Sequence, residues 1–216
     1  MAIPIRFDQR PFELPPGATE LLLGRHGSSA AADPDVPFPL LDGRGNPALA
    51  PAGLAQAEAV GRHLATQQVD RVFVSPLVRT HETAAPFVAR TGLEPLVVPE
   101  LAEVFLGEFE GGEYRIRVAR MDPVIERMFA DERWDVIPGA EPADQFAARV
   151  ARALEVIVEE TGPSRRAVVF SHGGVIGEFC RQFTESRPFA FVHADNASVT
   201  QLVVTSEKRK ILRTFN

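Results

Sequence analysis

Short apolar runs bounded by glycine, proline or charge alternate along this chain with longer stretches in which apolar positions recur every three or four residues. The runs Glu20–Leu23, Arg71–Ser75 and Ala167–Phe170 have the length and composition of buried strands, and Leu96–Val98 reads as a further strand. The longer spacing predicts a helix opened by Pro51, with Leu54, Ala57, Gly61, Leu64 and Ala65 on one face. A second helix is predicted from about Leu77 to Arg90, stopping near Gly92. A third follows Pro142, with the stripe Phe146, Val150, Ala153, Leu154, Ile157 and Val158, and ends at Gly162-Pro163. A fourth runs from Gly174 to about Phe183. The tail, Val199–Val204 and Lys210–Arg213 around the turn Ser206–Arg209, reads as a hairpin at a sheet edge. Strands alternating with helices predict an α/β fold, a three-layer α/β/α sandwich with a largely parallel central sheet.

Three segments lack this regularity. Residues 1–19 contain Pro4, Pro11, Pro15 and Pro16 and are expected to form an extended arm. Residues 28–50 are rich in Ala, Pro, Asp and Gly and read as a long loop. Residues 101–140 hold Gly107, Gly111 and Gly112 and then a mixed charged helix over roughly Arg117–Glu132, whose charge density suits a cap outside the core. No repeat or linker divides the remainder, so 20–216 is expected to be a single domain carrying that cap.

The 216 residues are 45% hydrophobic and 24% charged, which excludes general disorder. Twenty-three basic residues against 29 acidic ones give a net charge of −6. That sign gives no global attraction for nucleic acid or an anionic membrane, so an anionic substrate needs a local positive pocket. The lone Cys180 excludes an intrachain disulfide and any zinc site with two cysteine ligands. Arg6, Asp8 and Arg10 interrupt the N-terminus where a signal peptide is apolar, and no apolar run reaches membrane-spanning length. The expectation is a reduced, soluble, cytoplasmic protein, with the edge hairpin offering a surface for a homodimer.

Two buried strands run straight into a histidine and a glycine, at Gly24-Arg25-His26-Gly27 and Ser171-His172-Gly173-Gly174. In an open α/β sheet, ligands bind beyond the carboxyl ends of the strands, where both histidines fall. The glycines admit a ligand to the backbone, and the amides opening the next helix favour an anion. One histidine after a strand is ordinarily a satisfied loop residue, but two copies of the arrangement point to function. A third strand end, Ser75-Pro76-Leu77-Val78-Arg79-Thr80, puts Arg79 on the first turn of its helix, where it can converge with Arg25. Two guanidinium forks suit phosphate oxygens.

These stretches resemble the histidine phosphatase superfamily, the phosphoglycerate mutase-like family. The resemblance rests on Arg25-His26-Gly27, Ser75–Thr80 with Thr83-Ala84, Leu101-Ala102-Glu103 followed by Gly107–Gly111, and Ser171–Gly174, with Leu49, Gly53, Gln56 and Ala57 also matching. It implies a metal-independent and cofactor-free phosphomonoester hydrolase acting on a small molecule. His26 is then the nucleophile, Arg25, Arg79 and His172 surround the phosphate, and Glu103 protonates the leaving oxygen and later helps activate water. Residues alone do not single out Glu103 over Glu100, Glu108 or Glu110. The chain also departs from the family's pattern. Ser28-Ser29 follow His26-Gly27 where Glu-Thr or Glu-Ser is common, and Ala32 stands where many members have a phosphate-contacting asparagine. Ser28 or a backbone amide is the expected substitute, with Gly173 among the expected phosphate contacts. Gly24 replaces a bulkier apolar residue, and Asn196 lies in a late stretch near the site.

Mutases of the family place an Arg-His-Tyr-Gly stretch after the acid, whereas this chain has Val104-Phe105-Leu106-Gly107. That favours a phosphatase over a phosphoglycerate mutase-type phosphotransferase. Phe105, Leu106, Phe109 and Tyr114 are candidates for a partly apolar pocket wall, or simply for packed core. A phospho-ligand binding module without catalysis is the other alternative. No Gly-x-Ser-x-Gly elbow and no Walker loop occurs, which excludes those hydrolases and nucleotide sites.

Overall fold

The computed structural model describes residues 9–216, so the first half of the proline-rich arm lies outside the described residues. Residues 9–14 have no regular structure and are exposed. The chain then forms β1 (Thr19–Arg25), a two-residue hairpin of β2 (Leu40–Leu41) and β3 (Arg44–Gly45), α1 (Pro51–Leu64), β4 (Arg71–Val74), α2 (Val78–Thr91) and β5 (Pro95–Val97). After the irregular segment come α3 (Glu113–Ala119), α4 (Pro123–Asp131), α5 (Ala143–Thr161), β6 (Arg166–Ser171), α6 (Gly173–Thr184), β7 (Val199–Val204) and β8 (Lys210–Thr214).

Six strands form one sheet in the order β5-β4-β6-β1-β7-β8. The pairs β5-β4, β4-β6 and β6-β1 are parallel, while β7 runs antiparallel to β1 and β8 antiparallel to β7. Period-two alternation sends the side chains to opposite faces. Leu22, Val72, Val74, Val168 and Phe170 pack with Val60, Leu64, Ala84 and Phe87 of α1 and α2. Leu21, Leu23, Phe73 and Val169 pack with Val150, Ile157, Val175 and Phe179 of α5 and α6. Each such buried Leu, Val or Phe contributes roughly 1.5–3 kcal/mol. The result is the expected three-layer sandwich with a mostly parallel sheet. Two glycines serve this packing. A Cβ on Gly24 would come 3.1 Å from the ring of Phe170, its partner on β6, which fills the space of a larger residue. A Cβ on Gly61 would come 2.9 Å from the backbone of Phe87, so α1 and α2 meet closely there.

Three expectations are corrected. Leu54 is exposed, and Gly53, Ala57, Val60, Gly61 and Leu64 form the buried face of α1 instead. The helix expected over 117–132 is two helices. Met121 adopts a left-handed φ of 53°, and Asp122 caps α4 by accepting from the amide of Val124, with Pro123 at its first position. The loop 28–50 contains the β2-β3 hairpin and an isolated bridge from Ser29 to Leu49. The segment 101–140 gathers its own small cluster, Phe109, Ile125, Met128 and Ile137, above the carboxyl ends of the parallel strands. No helix among the described residues is long and apolar enough to cross a membrane.

Candidate active site

The parallel register builds the site floor. Arg25 at the end of β1 pairs with Ser171 at the end of β6, and Val74 at the end of β4 pairs with Phe170, so three adjacent strands finish within one residue of each other. The next residues in sequence, His26, His172 and Ser75, therefore emerge side by side. The two imidazoles lie 5.1 Å apart between ring centroids, His26 at 5% exposure and His172 fully buried.

Each ring is held by one nitrogen. His26 Nδ1 lies 2.7 Å from the Gly27 carbonyl. A carbonyl can only accept, so Nδ1 carries the proton and Nε2 keeps its lone pair. His172 Nε2 bonds to Ser75 Oγ at 2.7 Å, and its buried Nδ1 has no partner. Ser75 Oγ also meets Thr80 Oγ1 at 3.0 Å and accepts from the Leu77 amide at 3.2 Å. Both imidazoles are pushed well below the ordinary histidine value, first by burial and then by the nearby Arg79 guanidinium.

Arg79, on the first turn of α2, is 7% exposed and donates to the Gly45 carbonyl at 2.9 Å. Burial lowers its pKa to about 10, which leaves it charged at neutral pH. Arg25 donates Nη1 to the Ala194 carbonyl, while its buried Nε has no partner. Among the described residues, no carboxylate lies within salt-bridge distance of either guanidinium. Arg25 Nε and the free nitrogens of Arg79 thus stand as unpartnered donors beside His26, and His172 Nδ1 joins them in the tautomer in which Ser75 Oγ donates to Nε2, a set that an oxyanion satisfies.

Glu103 closes the site from the opposite side. Its Oε1 accepts from the Val104 amide at 3.0 Å and its Oε2 from the Gly174 amide at 3.2 Å, at the start of α6. A Cβ on Gly174 would stand 2.6 Å from Oε1, so only glycine leaves room for this carboxylate. Arg149 of α5 clamps the turn that carries it, donating to the carbonyls of Glu100 at 2.6 Å and Ala102 at 2.8 Å and forking onto Glu141. Of the other acidic candidates, Glu108 is exposed. Glu110 reaches the cavity but is occupied by the amides of Gly45 and Leu106.

A cavity of about 290 Å³ opens above the floor, lined by Arg25, His26, Arg79 and Glu103 and walled by Leu106, Phe109, Tyr114, Arg115, Arg44 and Trp134. The expected pocket wall is therefore present in Leu106, Phe109 and Tyr114, whereas Phe105 lies beneath the Arg44 guanidinium, 5.6 Å from it. A second cavity of about 260 Å³ shares Arg25, Glu103, Tyr114 and Trp134 and continues to Gly173, Phe129, His193 and Asp195.

Arg25, His26, Arg79, His172 and Glu103 come together as the sequence anticipates. Gly173 opens α6 against Arg25, whose Nε would lie 3.4 Å from a Cβ there. Ser28 does not join them. Its amide donates to Gln56 Oε1 at 2.7 Å and its carbonyl receives the Ala50 amide at 2.9 Å, and it does not line the cavity. Asn196 donates Nδ2 to the His26 carbonyl at 2.9 Å and so steadies the loop that carries that ring. The residues missed by sequence reasoning are Arg44, Arg115, Trp134 and Arg149. Each reaches the site from a segment with no strand-end motif, and only the resemblance could have drawn attention to their neighbourhood.

A sheet whose strand ends bring one neutral imidazole, two unpaired guanidiniums and one carboxyl to a single cavity, with a second neutral imidazole buried beside the first, belongs to the class of α/β proteins built to handle an oxyanion. The histidine phosphatase superfamily (branch 1) model matches residues 21–216, and the chain belongs to this superfamily. A Hydrogenobacter thermophilus protein provisionally named phosphoserine phosphatase 2 is 24% identical over 194 residues, spanning 89% of this chain and 93% of that one. A mycobacterial glucosyl-3-phosphoglycerate phosphatase superposes with a TM-score of 0.73 at 26% identity, covering 92% of this chain and 99% of that one. Phosphoglycerate mutase from Bacillus anthracis superposes with a TM-score of 0.74 at 20% identity, covering 92% and 93%, and shares the fold.

Proposed function

We propose that this chain hydrolyses small phosphomonoesters through a phosphohistidine on Nε2 of His26. The observation that carries the reading is the Nδ1 hydrogen bond to the Gly27 carbonyl, which leaves Nε2 with a lone pair on a buried ring facing the cavity. A dianionic phosphoryl group sits between Arg25, Arg79 and His172, whose free N–H groups donate to its oxygens and spread the charge of transfer. Nε2 attacks phosphorus, the P–O bond to the alcohol breaks, and the Glu103 carboxyl gives its proton to the departing oxygen. Water then attacks the phosphohistidine, Glu103 takes up the water proton, the P–N bond breaks and orthophosphate leaves. Burial and Arg79 keep His26 neutral, so the nucleophile is already in its reactive form at neutral pH. Val104 and Leu106 put apolar surface behind the acid, which supports hydrolysis rather than the polar grip a mutase needs on a second phosphate position.

Phosphate release from a panel of phosphomonoesters between pH 5 and 8, with EDTA present, tests this. The wild type is expected to turn over at least one ester, and His26→Ala to lose on the order of 10⁴-fold or more while keeping its melting temperature. Glu103→Gln is expected to lose more on alkyl than on nitrophenyl esters, since only the former need the proton. Substantial turnover by His26→Ala would refute the nucleophile assignment.

A further inference from the structure

The resemblance puts Ala32 where a phosphate-contacting side chain is expected, and Ala32 does not line the cavity, whereas an arginine from α3 does. Gly112 precedes α3 with a φ of 104°, and a Cβ there would lie 3.2 Å from Ala32 Cβ and 3.1 Å from the Phe38 ring. Two small residues, Ala32 and Gly112, thus let the first turn of α3 rest on the loop that follows His26. Three residues further on, Arg115 reaches back to that loop. Its Nη1 donates to the Ala30 carbonyl and its Nη2 to Ser29 Oγ, both at 2.7 Å. The guanidinium carbon stands 5.3 Å from the centroid of the Phe38 ring. Ser29 is only three residues from His26, so the fork is fastened beside the nucleophile, at the rim of the cavity that it lines with Arg25, His26 and Arg79.

This fork has surplus charge. Among the described residues no carboxylate lies within salt-bridge distance of Arg115, as with Arg25 and Arg79. Arg115 is itself exposed at the rim, and its charge is near enough to help lower the pKa values of both His26 and Arg79. Three unpaired guanidiniums around one neutral imidazole repel one another until an anion arrives, and the anion that His26 receives is phosphate. Arg44 differs, because Glu141 stands 3.7 Å from it.

We infer that Arg115 is a third phosphate-holding arginine, delivered from the cap by α3, and that it takes the place left by Ala32. The inference rests on the phosphatase reading above, and it ties phosphate binding to the seating of α3 on the loop after His26. The arginine acts on the phosphoryl group and not on the alcohol, so its loss penalises every ester alike.

The test is orthophosphate binding to the resting protein, read by calorimetry, together with kcat/KM for two esters, one with an uncharged alcohol and one bearing a carboxylate. Arg115→Gln is expected to weaken orthophosphate binding roughly tenfold to a hundredfold, the range for a charge-assisted hydrogen bond. Both esters should lose kcat/KM by a common factor. Arg115→Lys keeps the charge without the fork and is expected to recover part of the loss, and it decides the matter should the glutamine variant melt early. Unchanged orthophosphate affinity overturns the inference, as does a loss confined to the carboxylated ester, which would put Arg115 on the leaving group instead. Orthophosphate binding that depends on Arg115 in a protein that turns over no ester would sink the phosphatase reading and leave this one standing. A wild type that neither binds orthophosphate nor turns over any ester sinks both.

Discussion

The floor and the wall of the cavity are built on different principles. On the floor, His26, Ser75 and His172 follow three neighbouring parallel strands, and backbone register alone brings them within one residue of a common level. Moving any of them requires shifting a strand whose side chains are almost wholly buried. Apart from Arg44 the wall comes from 101–140, which holds together around four buried side chains, and it is tied to the rest of the domain by side-chain and amide hydrogen bonds: Arg149 on the Glu103 turn, Glu103 on the Gly174 amide, Arg115 on Ser29. Chemistry that needs fixed geometry therefore sits on the sheet. In the proposed mechanism the proton for the leaving alcohol comes from a segment whose contacts can be exchanged one at a time.

The largest effect in this comparison is expected where the two regions touch. In Gly174→Ala the new Cβ would fall 2.6 Å from Glu103 Oε1 and 3.4 Å from Val104 Cγ1, so the carboxylate has to leave its seat while the floor stays intact. Turnover of an alkyl phosphate should fall on the order of 10²-fold, and that of a nitrophenyl phosphate much less. Equal losses on both esters would mean that the wall contributes binding and not proton transfer.

The same contrast explains what was legible in the sequence. The runs ending at Arg25-His26 and Ser171-His172 declare both a buried strand and its chemistry, because parallel-sheet strands are continuously apolar and stop abruptly at a site. Arg79 was readable for the same reason, as the first turn after a third such strand. The wall offers no period to read. Its helices are short, α3 has no buried residue, and α4 begins only because Asp122 and Pro123 restart the chain after Met121. Glu103 was reachable through family resemblance alone, since several glutamates crowd that stretch and only the Gly174 amide and the Arg149 clamp distinguish it. Arg115 depends on Ala32 and Gly112 being small at once, a coincidence of residues 80 positions apart.

A smaller effect isolates the floor from the wall. Ser75→Ala removes the hydroxyl on His172 Nε2 and the acceptor of the Leu77 amide, leaving a fully buried imidazole nitrogen without its partner. The unpaired group costs about 1–3 kcal/mol of stability. The ring no longer has its orientation fixed, and kcat is expected to drop roughly tenfold with little change in the preference among alcohols, which the proposed mechanism assigns to the wall. A shift in that preference would show that His172 reaches the leaving group.

The smallest effect separates the two regions by pH. His26 and His172 are neutral in the folded state because burial, and then Arg79, disfavours their charged forms. Unfolded, each takes up a proton near its ordinary value of 6.5. Above that pH neither state binds the proton and the pair contributes no pH dependence. Below it the unfolded chain gains protons that the folded one refuses, so stability falls by roughly 1 kcal/mol per pH unit for each histidine. Between pH 6.5 and 5 this loss stands nearly alone. Glu141, held down by the Arg149 fork against the cost of burial, and Asp135, held down by Arg133, release their contributions only as the pH falls through and below the ordinary carboxylate range. Urea unfolding at pH 7 and pH 5.5 should therefore show a drop in the wild type that is about halved in His26→Asn. No drop, or an undiminished one in that variant, would mean that His26 is not neutral in the folded protein. The unreactive imidazolium would then be the resting form, and the floor would need a proton acceptor before it could act as a nucleophile.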